Sequence, residues 1–272
     1  MGQSLPDEAV VLVTGASSGF GRLTASFLAE RGYVVFGTSR KAASMSGDGF
    51  EMIQLDITSD QSVKECVSTI LQKTGRIDVL VNNAGQAVTG GLEETSVDEA
   101  KAHFDSNFFG TIRMVNAVLP DMRKRRSGHI VNLSSLAATF PVPFEGYYAS
   151  AKAALLTYTE VLRQEVKSLG IKVSVVEPGF FRTNLLNART AAAHPIGDYD
   201  ETRKRAQAAL VESFVKGADP KEVAETIVKI IQTPSPALHY VVGKEGSYLL
   251  LKRILPLSVM ESMTRRHWRL DE

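Results

Sequence analysis

Val10-Val11-Leu12-Val13-Thr14-Gly15-Ala16-Ser17-Ser18-Gly19-Phe20-Gly21 is the stretch whose reading decides the fold. The β-branched run Val10–Thr14 reads as a strand buried on both faces. The glycines that follow serve three needs. One makes the sharp turn out of the strand, another lets backbone approach a bulky ligand, and a third lets a helix pack against the sheet. Leu23, Thr24, Phe27 and Leu28 then recur at helical spacing, which predicts a helix over Gly21–Arg31. A helix opening at such a turn presents unpaired N–H groups and a partial positive charge, which suits phosphate. The spacing is Gly-x-x-x-Gly-x-Gly.

Outward from this unit the alternation repeats. Strands are expected at Tyr33–Thr38, Met52–Leu55, Val79–Asn82, His129–Leu133, Lys172–Val176 and His239–Val242. Helices are expected at Ser59–Thr74, Val97–Arg125 and Tyr148–Leu169, the last ending at the C-cap signal Gly170. Strand–helix alternation with continuous apolar strands implies an α/β chain. The expected architecture is a Rossmann-type, doubly wound parallel sheet of about seven strands with helices on both faces. No repeat or linker divides the 272 residues, so one domain is expected over 1–272, with its core at about 9–243. The stretch 184–216 is the least regular and reads as a lid or substrate loop. Residues 243–272 form a partly helical extension.

Bulk composition excludes several classes. The chain is 44% hydrophobic and 22% charged, with 31 basic and 30 acidic side chains. That balance gives no general attraction to nucleic acid or to an anionic membrane. Cys66 is the only cysteine, so an intrachain disulfide and a cysteine metal cluster are excluded. The five histidines show no metal-ligand spacing, and no metal is expected. The start carries no basic segment followed by an apolar one, so no secretory leader and a cytoplasmic location are expected. The basic cluster at 123–126 ends a helix, where cations favour the macrodipole, and 203–205 reads as a solvated helix face. The cluster at 265–269, beside Leu and Met residues, is the one that could touch a membrane surface, but membrane contact is not expected.

The end of the second strand discriminates between cofactors. An acid about 20 residues past the glycines would accept hydrogen bonds from the ribose of NAD. Thr38-Ser39-Arg40-Lys41 stands there instead, and Arg40 can pair with a 2′-phosphate. NADP(H) is therefore expected, with NAD(H) as the alternative.

Five further stretches then agree in order. These are Asn82-Asn83-Ala84-Gly85, Asn107, Ser134-Ser135, Tyr148-Ala149-Ser150-Ala151-Lys152 and Pro178-Gly179-Phe180-Phe181-Arg182-Thr183. Together with the glycine turn they resemble the short-chain dehydrogenase/reductase family, over about residues 9–243. The resemblance implies that Gly15, Ser17, Ser18, Gly19, Phe20 and Gly21 line the pyrophosphate and ribose of the cofactor. It implies an adenine contact at Asp56 and Ile57, and cofactor contacts at Asn83, Ala84 and Gly85. Pro178, Gly179, Phe180 and Thr183 resemble the residues that hold the nicotinamide. One departure is Ser18, where NADP-preferring members often carry a basic residue.

Tyr148 and Lys152 lie at i and i+4 of a helix, so they share a face about 6 Å apart at Cβ. A free tyrosine titrates near about 10, and a close cation is expected to lower that value. Tyr147 points about 100° away around the helix, which assigns the acid–base role to Tyr148. The family's thirteen-residue spacing to tyrosine favours Ser135 over Ser134. Asn107 is carried over as the residue that holds a water near Lys152. The implied activity is hydride transfer between NADP(H) and a ketone or aldehyde and its alcohol. The rival reading is a catalytically idle NADP(H) sensor of the same fold.

Leu136, Phe140, Val142, Phe144, Phe180, Phe181 and Leu185 are expected to wall a substrate pocket for a small hydrophobic molecule. The tail is similar to that of members acting on steroid- or retinoid-like substrates. The helices at 97–125 and 148–169 resemble those of the family's dimer interface, so a homodimer is expected, with a tetramer as the alternative. The tail is expected to obstruct further assembly at the last strand.

Overall fold

The apolar strand residues alternate between two destinations. Val10 and Leu12 of the first strand join one buried cluster, while Val11 and Val13 join another. Period-two alternation with both faces apolar requires a sheet covered on both sides. The computed structural model, which describes residues 8–41, 49–183 and 189–271, shows that arrangement. Seven parallel strands run in the order β3-β2-β1-β4-β6-β7-β9. They are β1 (Val10–Val13), β2 (Val34–Ser39), β3 (Glu51–Gln54), β4 (Val79–Asn82), β6 (Gly128–Leu133), β7 (Ile171–Pro178) and β9 (His239–Val242).

Helices α1 (Gly19–Ala29) and α7 (Lys221–Gln232) cover one face, through Ala25, Leu28, Val223 and Ile227. Helices α2 (Asp60–Thr74), α4 (Gly110–Arg125) and α5 (Gly146–Val166) cover the other, through Ile70, Met114, Val118 and Leu162. The chain builds β1, β2 and β3 outward, then crosses back to place β4 on the other side of β1. That reversal opens a crevice at the strand carboxyl ends, where ligands of open α/β sheets bind. The expected fold is therefore the observed one.

At the opposite rim, Asp78 is buried just before β4. Its Oδ2 accepts from the Val10 amide at 2.9 Å. Its Oδ1 accepts from Arg125 at 3.0 Å, and Arg76 closes on it at 3.0 Å. This network joins β1, β4 and α4 away from the crevice.

Four departures from the sequence reading have physical reasons. The helix expected over 97–125 is broken by a π-turn, Asp105–Phe109, between α3 (Val97–Phe104) and α4. The stretch 200–215, read as irregular, is the helix α6 (Asp200–Val215). Its buried face is alanine-rich, at Ala206 and Ala209 beside Leu210 and Phe214, so the apolar stripe was thin. The helix α7 was not anticipated, although Val223, Ile227 and Ile230 recur at helical spacing. A two-residue parallel pair, β5 (Val88–Thr89) with β8 (Thr190–Ala191), had no repeating signal to find. The extension forms α8 (Tyr248–Ile254) and α9 (Leu257–His267), and it ends against α6. There Trp268 is buried with Leu210 and Phe214, and Arg269 pairs with Glu212 at 2.5 Å.

Two glycines separate backbone strain from steric exclusion. Gly75 and Gly170 both sit in the left-handed region, at φ of 74° and 75°. A Cβ on Gly75 would meet open space, but on Gly170 it would meet the Arg126 carbonyl oxygen at 2.2 Å. Gly75→Ala should cost about 1–2 kcal/mol from the backbone alone. Gly170→Ala should cost clearly more by urea denaturation; equal losses would show that the Arg126 contact relaxes freely.

Candidate active site

The crevice is built from the strand ends upward. Thr14 follows β1, and its Oγ1 accepts from the amides of Asn83 and Ala84, each at 3.0 Å. The Asn83 side chain donates to the carbonyls of Thr14 and Gly15, at 2.9 and 3.1 Å. Asn83 thus braces the glycine turn with its amide. Gly15 needs its φ of 69°, and a Cβ there would meet Ala84 Cα at 2.9 Å. Gly21 has a different duty: its Cβ would meet the Gly15 carbonyl oxygen and Asn83 Nδ2, both at 2.4 Å. It packs the helix against the turn and does not line the cavity.

Ser18 occupies the N-cap of α1 with no side-chain cap bond. The first-turn N–H groups are thereby left for a ligand. Gly19, at φ 56°, would project a Cβ into space that holds no protein atom within 4 Å. This is a cradle open toward the cavity, and it fits a pyrophosphate on a helix N-terminus. Arg40 lies exposed at the end of β2 on the same cavity. Asp56 accepts from the Thr58 amide at 2.9 Å and its hydroxyl at 2.7 Å. Those bonds, with weaker help from Arg40, hold its carboxyl below the usual range.

The cavity is about 1070 Å³, more than the roughly 300–1,000 Å³ of a single small-ligand pocket. It therefore has room for two reactants. Gly15, Ser17, Ser18, Gly19, Phe20, Arg40, Asp56, Ile57, Asn83, Ala84 and Gly85 border it. So do Ser135, Tyr148, Lys152, Asn107, Pro178, Gly179, Phe180 and Thr183. Leu136, Phe140, Val142 and Phe181 form part of the apolar wall, with Phe181 packed edge-on to Phe20 at 5.5 Å. Phe144 is not on this wall; it turns away and meets Tyr199. Leu185 lies outside the described residues. Tyr147 is absent from the described lining, as helical geometry requires.

The sequence-selected polar residues converge. The Ser135 hydroxyl faces the Tyr148 phenol, where it favours the ionised form, and accepts from the Ala137 amide at 3.1 Å. Lys152 Nζ donates to the Leu133 carbonyl at 2.8 Å, and Ser134 Oγ donates to the Lys152 carbonyl at 2.9 Å. Ser134 is therefore the structural neighbour of Ser135. Asn107 sits in the π-turn, accepts from the Gln86 amide at 3.1 Å and donates to the His103 carbonyl at 3.0 Å. A Cβ on Gly85 would meet Asn107 Oδ1 at 2.8 Å and Lys152 Nζ at 3.7 Å, so glycine is what lets these two groups approach.

One electrostatic expectation is corrected. Burial pushes the Tyr148 phenol up to about 12, and Ser135 only moderates it. Lys152 is turned to the Leu133 carbonyl and lies 5.9 Å from the Tyr148 ring centre. Burial also brings the ammonium down to about 8. The protein alone therefore favours a neutral phenol.

Among the polar groups of this cavity or its border that were missed, four bear on the argument. His103, buried, has its ring 6.3 Å from that of Tyr148. Glu145 and Arg189 form an ion pair at 2.9 Å. Glu245 has a carboxylate oxygen buried beside Gly179. Only Glu145, three residues before Tyr148, carried a positional hint.

The matching of known proteins agrees with this geometry. The model of the short chain dehydrogenase family matches residues 9–194. The chain belongs to that family. It is 38% identical over 245 residues to a 3-ketodihydrosphingosine reductase of Bacteroides thetaiotaomicron, covering 89% of this chain and 91% of the relative. It is also 38% identical to retinol dehydrogenase 8 of Bos taurus, covering 84% and 79%. A solved short-chain dehydrogenase from Streptomyces avermitilis superposes with a TM-score of 0.83 at 34% identity, over 97% of this chain and 99% of that one. As a short-chain dehydrogenase the chain is an NAD(P)-dependent oxidoreductase. Among the described residues, no helix is long and apolar enough to cross a membrane.

Burial also sets a pH dependence. His103 and His129 are held neutral, at about 4 and about 3. An unfolded histidine titrates near about 6.5, so between these values the unfolded chain binds more protons. The stability due to these groups is full above pH 6.5 and is lost as pH falls toward 4. Denaturation midpoints should drop across pH 6.5–4.5, and a His103→Gln, His129→Gln variant should show a flatter decline. An unchanged slope would remove both histidines from the account.

Proposed function

We propose that this short-chain dehydrogenase interconverts a hydrophobic ketone or aldehyde and its alcohol, with NADP(H) as cofactor and Tyr148 as general acid and base. The observation that carries the reading is that Ser135, Tyr148 and Lys152 border the same cavity as a phosphate-type cradle and apolar side chains. The nicotinamide, when bound, supplies or accepts the hydride and, once oxidised, a positive charge. Gly15, Ser17, Ser18, Gly19 and Phe20 would hold its phosphates, and Pro178, Gly179, Phe180 and Thr183 its ring. In reduction, Tyr148 gives its phenolic proton to the carbonyl oxygen, and Ser135 orients and polarises that oxygen. Lys152 sits where it holds the ribose and supports the tyrosinate formed by proton transfer. Asn107 holds a water beside Lys152 that returns the proton.

Apolar Leu136, Phe140 and Val142 suit a hydrophobic substrate body. The names of the reductase and retinol dehydrogenase relatives are consistent with that class. The proposed assembly is a homodimer through α4 and α5, near which Phe109 and Val161 are left exposed. A cytoplasmic location remains the proposal.

Two measurements test the chemistry. Tyr148→Phe should lower kcat by roughly 10²–10⁴-fold in NADPH oxidation with hydrophobic ketones, while the chain still binds cofactor. Full turnover in that variant would refute the proton donor. Arg40→Asp should move the NADPH-to-NADH preference by at least about tenfold toward NADH, since a charged hydrogen bond to the 2′-phosphate is replaced by repulsion. An unchanged ratio of kcat/KM would take Arg40 out of the cofactor site.

A further inference from the structure

The cavity lining holds a pair of side chains that the reaction above does not use. Glu145 and Arg189 line it together. Their side chains are only 4% and 10% exposed, and Arg189 Nη1 lies 2.9 Å from Glu145 Oε1. The contact is close but not aligned as a hydrogen bond. Glu145 Oε1 and Arg189 Nε are both buried without a hydrogen-bond partner. Both residues act electrostatically on Tyr148, so the pair stands near the reacting phenol.

Neither residue is placed by chance. Glu145 occupies the N-cap of α5 but makes no side-chain cap bond. Its carboxylate is turned to Arg189 instead. It follows Phe144, which is held at φ 63°, a conformation costly for a bulky side chain. The Phe144 carbonyl accepts from Gly90 at 2.8 Å. Arg189 directly precedes β8, which is pinned by Thr190 to Ala87 at 3.1 Å and by Ala192 to Thr89 at 2.9 Å. Its guanidinium lies 5.0 Å over the Phe214 ring. The β5–β8 pair thus fixes both partners from opposite sides.

Stability does not account for the arrangement. A buried ion pair loses hydration that its mutual attraction barely returns, and it stabilises only when its remaining donors and acceptors are bonded. Here one donor and one acceptor are buried without a partner, in two side chains that border the cavity. A matching group must offer both a proton and a lone pair. Burial pushes the Glu145 carboxyl up to about 7, so the ion pair is fully formed above that pH. There a carboxylate would face Glu145 and an ammonium would face Arg189, and an uncharged group fits.

We propose that Arg189 and Glu145 form a polar subsite for a hydroxyl group on the substrate, so that the preferred substrates are apolar hydroxyketones and the corresponding diols. The Arg189 guanidinium donates to the hydroxyl oxygen, and the hydroxyl donates to the Glu145 carboxylate. This inference rests on the carbonyl–alcohol reading above, and a binding measurement separates the two. Trp268, the single tryptophan, lines the cavity, so its fluorescence reports ligand binding without turnover.

The experiment titrates the full chain, with NADP⁺ present, with matched pairs of long-chain ketones that differ by one hydroxyl α, β or γ to the carbonyl. In wild type, at least one hydroxyketone should bind about tenfold or more tightly than its deoxy partner, the scale of one hydrogen bond to a charged group. Arg189→Met should bring that ratio close to one. Glu145→Gln, which keeps the shape and removes the negative charge, should raise affinity for a keto acid of the same length by at least about tenfold. Equal wild-type affinities within every pair would overturn the subsite. So would a ratio that survives Arg189→Met, or wild-type preference for the keto acid. Turnover of the deoxy ketones, followed separately, judges the parent reading.

Discussion

The active arrangement depends on a reciprocal clamp between one strand end and one helix. Lys152 reaches from α5 to the Leu133 carbonyl at the end of β6, and Ser134 reaches back from the strand to the Lys152 carbonyl. Two hydrogen bonds running in opposite directions fix the helix in both rotation and height. Tyr148, one turn earlier, then has a single place to go, and Ser135 meets it there. The lysine that the sequence marks as an electrostatic partner is first a geometric one. Its hydrogen bond also explains why the ammonium is not aimed at the phenol.

Burial dominates the electrostatics of this cluster. It raises Tyr148 to about 12, lowers Lys152 to about 8 and lowers His103 to about 4. In each case the shift is toward the uncharged form, because burial removes hydration from the charged one. The site is thus set to respond to charge that a ligand brings. Asn107 fits the same logic. The π-turn around it lets its side chain serve Gln86 and His103 at once, and such turns are a common device at functional positions.

The fold and the centre of the site were legible because both are local in sequence. A strand, a glycine turn and a helix fall within residues 10–29. Tyr148 and Lys152 are one helical turn apart, and Tyr147 is excluded by the same turn. What was illegible depends on pairing across long separations or on weak periodicity. Arg189 meets Glu145 over more than forty residues, through a two-residue strand that has no repeating pattern. The helix α6 hides its stripe in alanines. Phe144 looked like a wall residue beside Phe140 and Val142, but its left-handed backbone turns the ring away toward Tyr199. The depressed tyrosine expected from spacing failed because spacing does not report where an ammonium is already bonded.

The Asp78 network at the amino ends of β1 and β4 has a consequence for how this chain can change. Every strand of the main sheet runs the same way, so each has one end in the crevice and one end at the far rim. Asp78, Arg76 and Arg125 tie that far rim together while contributing nothing to the cavity's described lining. Robustness and selectivity are therefore adjustable from opposite poles of the same strands. A lineage, or an engineer, can reinforce the lower pole without disturbing the upper one, and can exchange the residues around Arg189 while the lower pole keeps the scaffold intact.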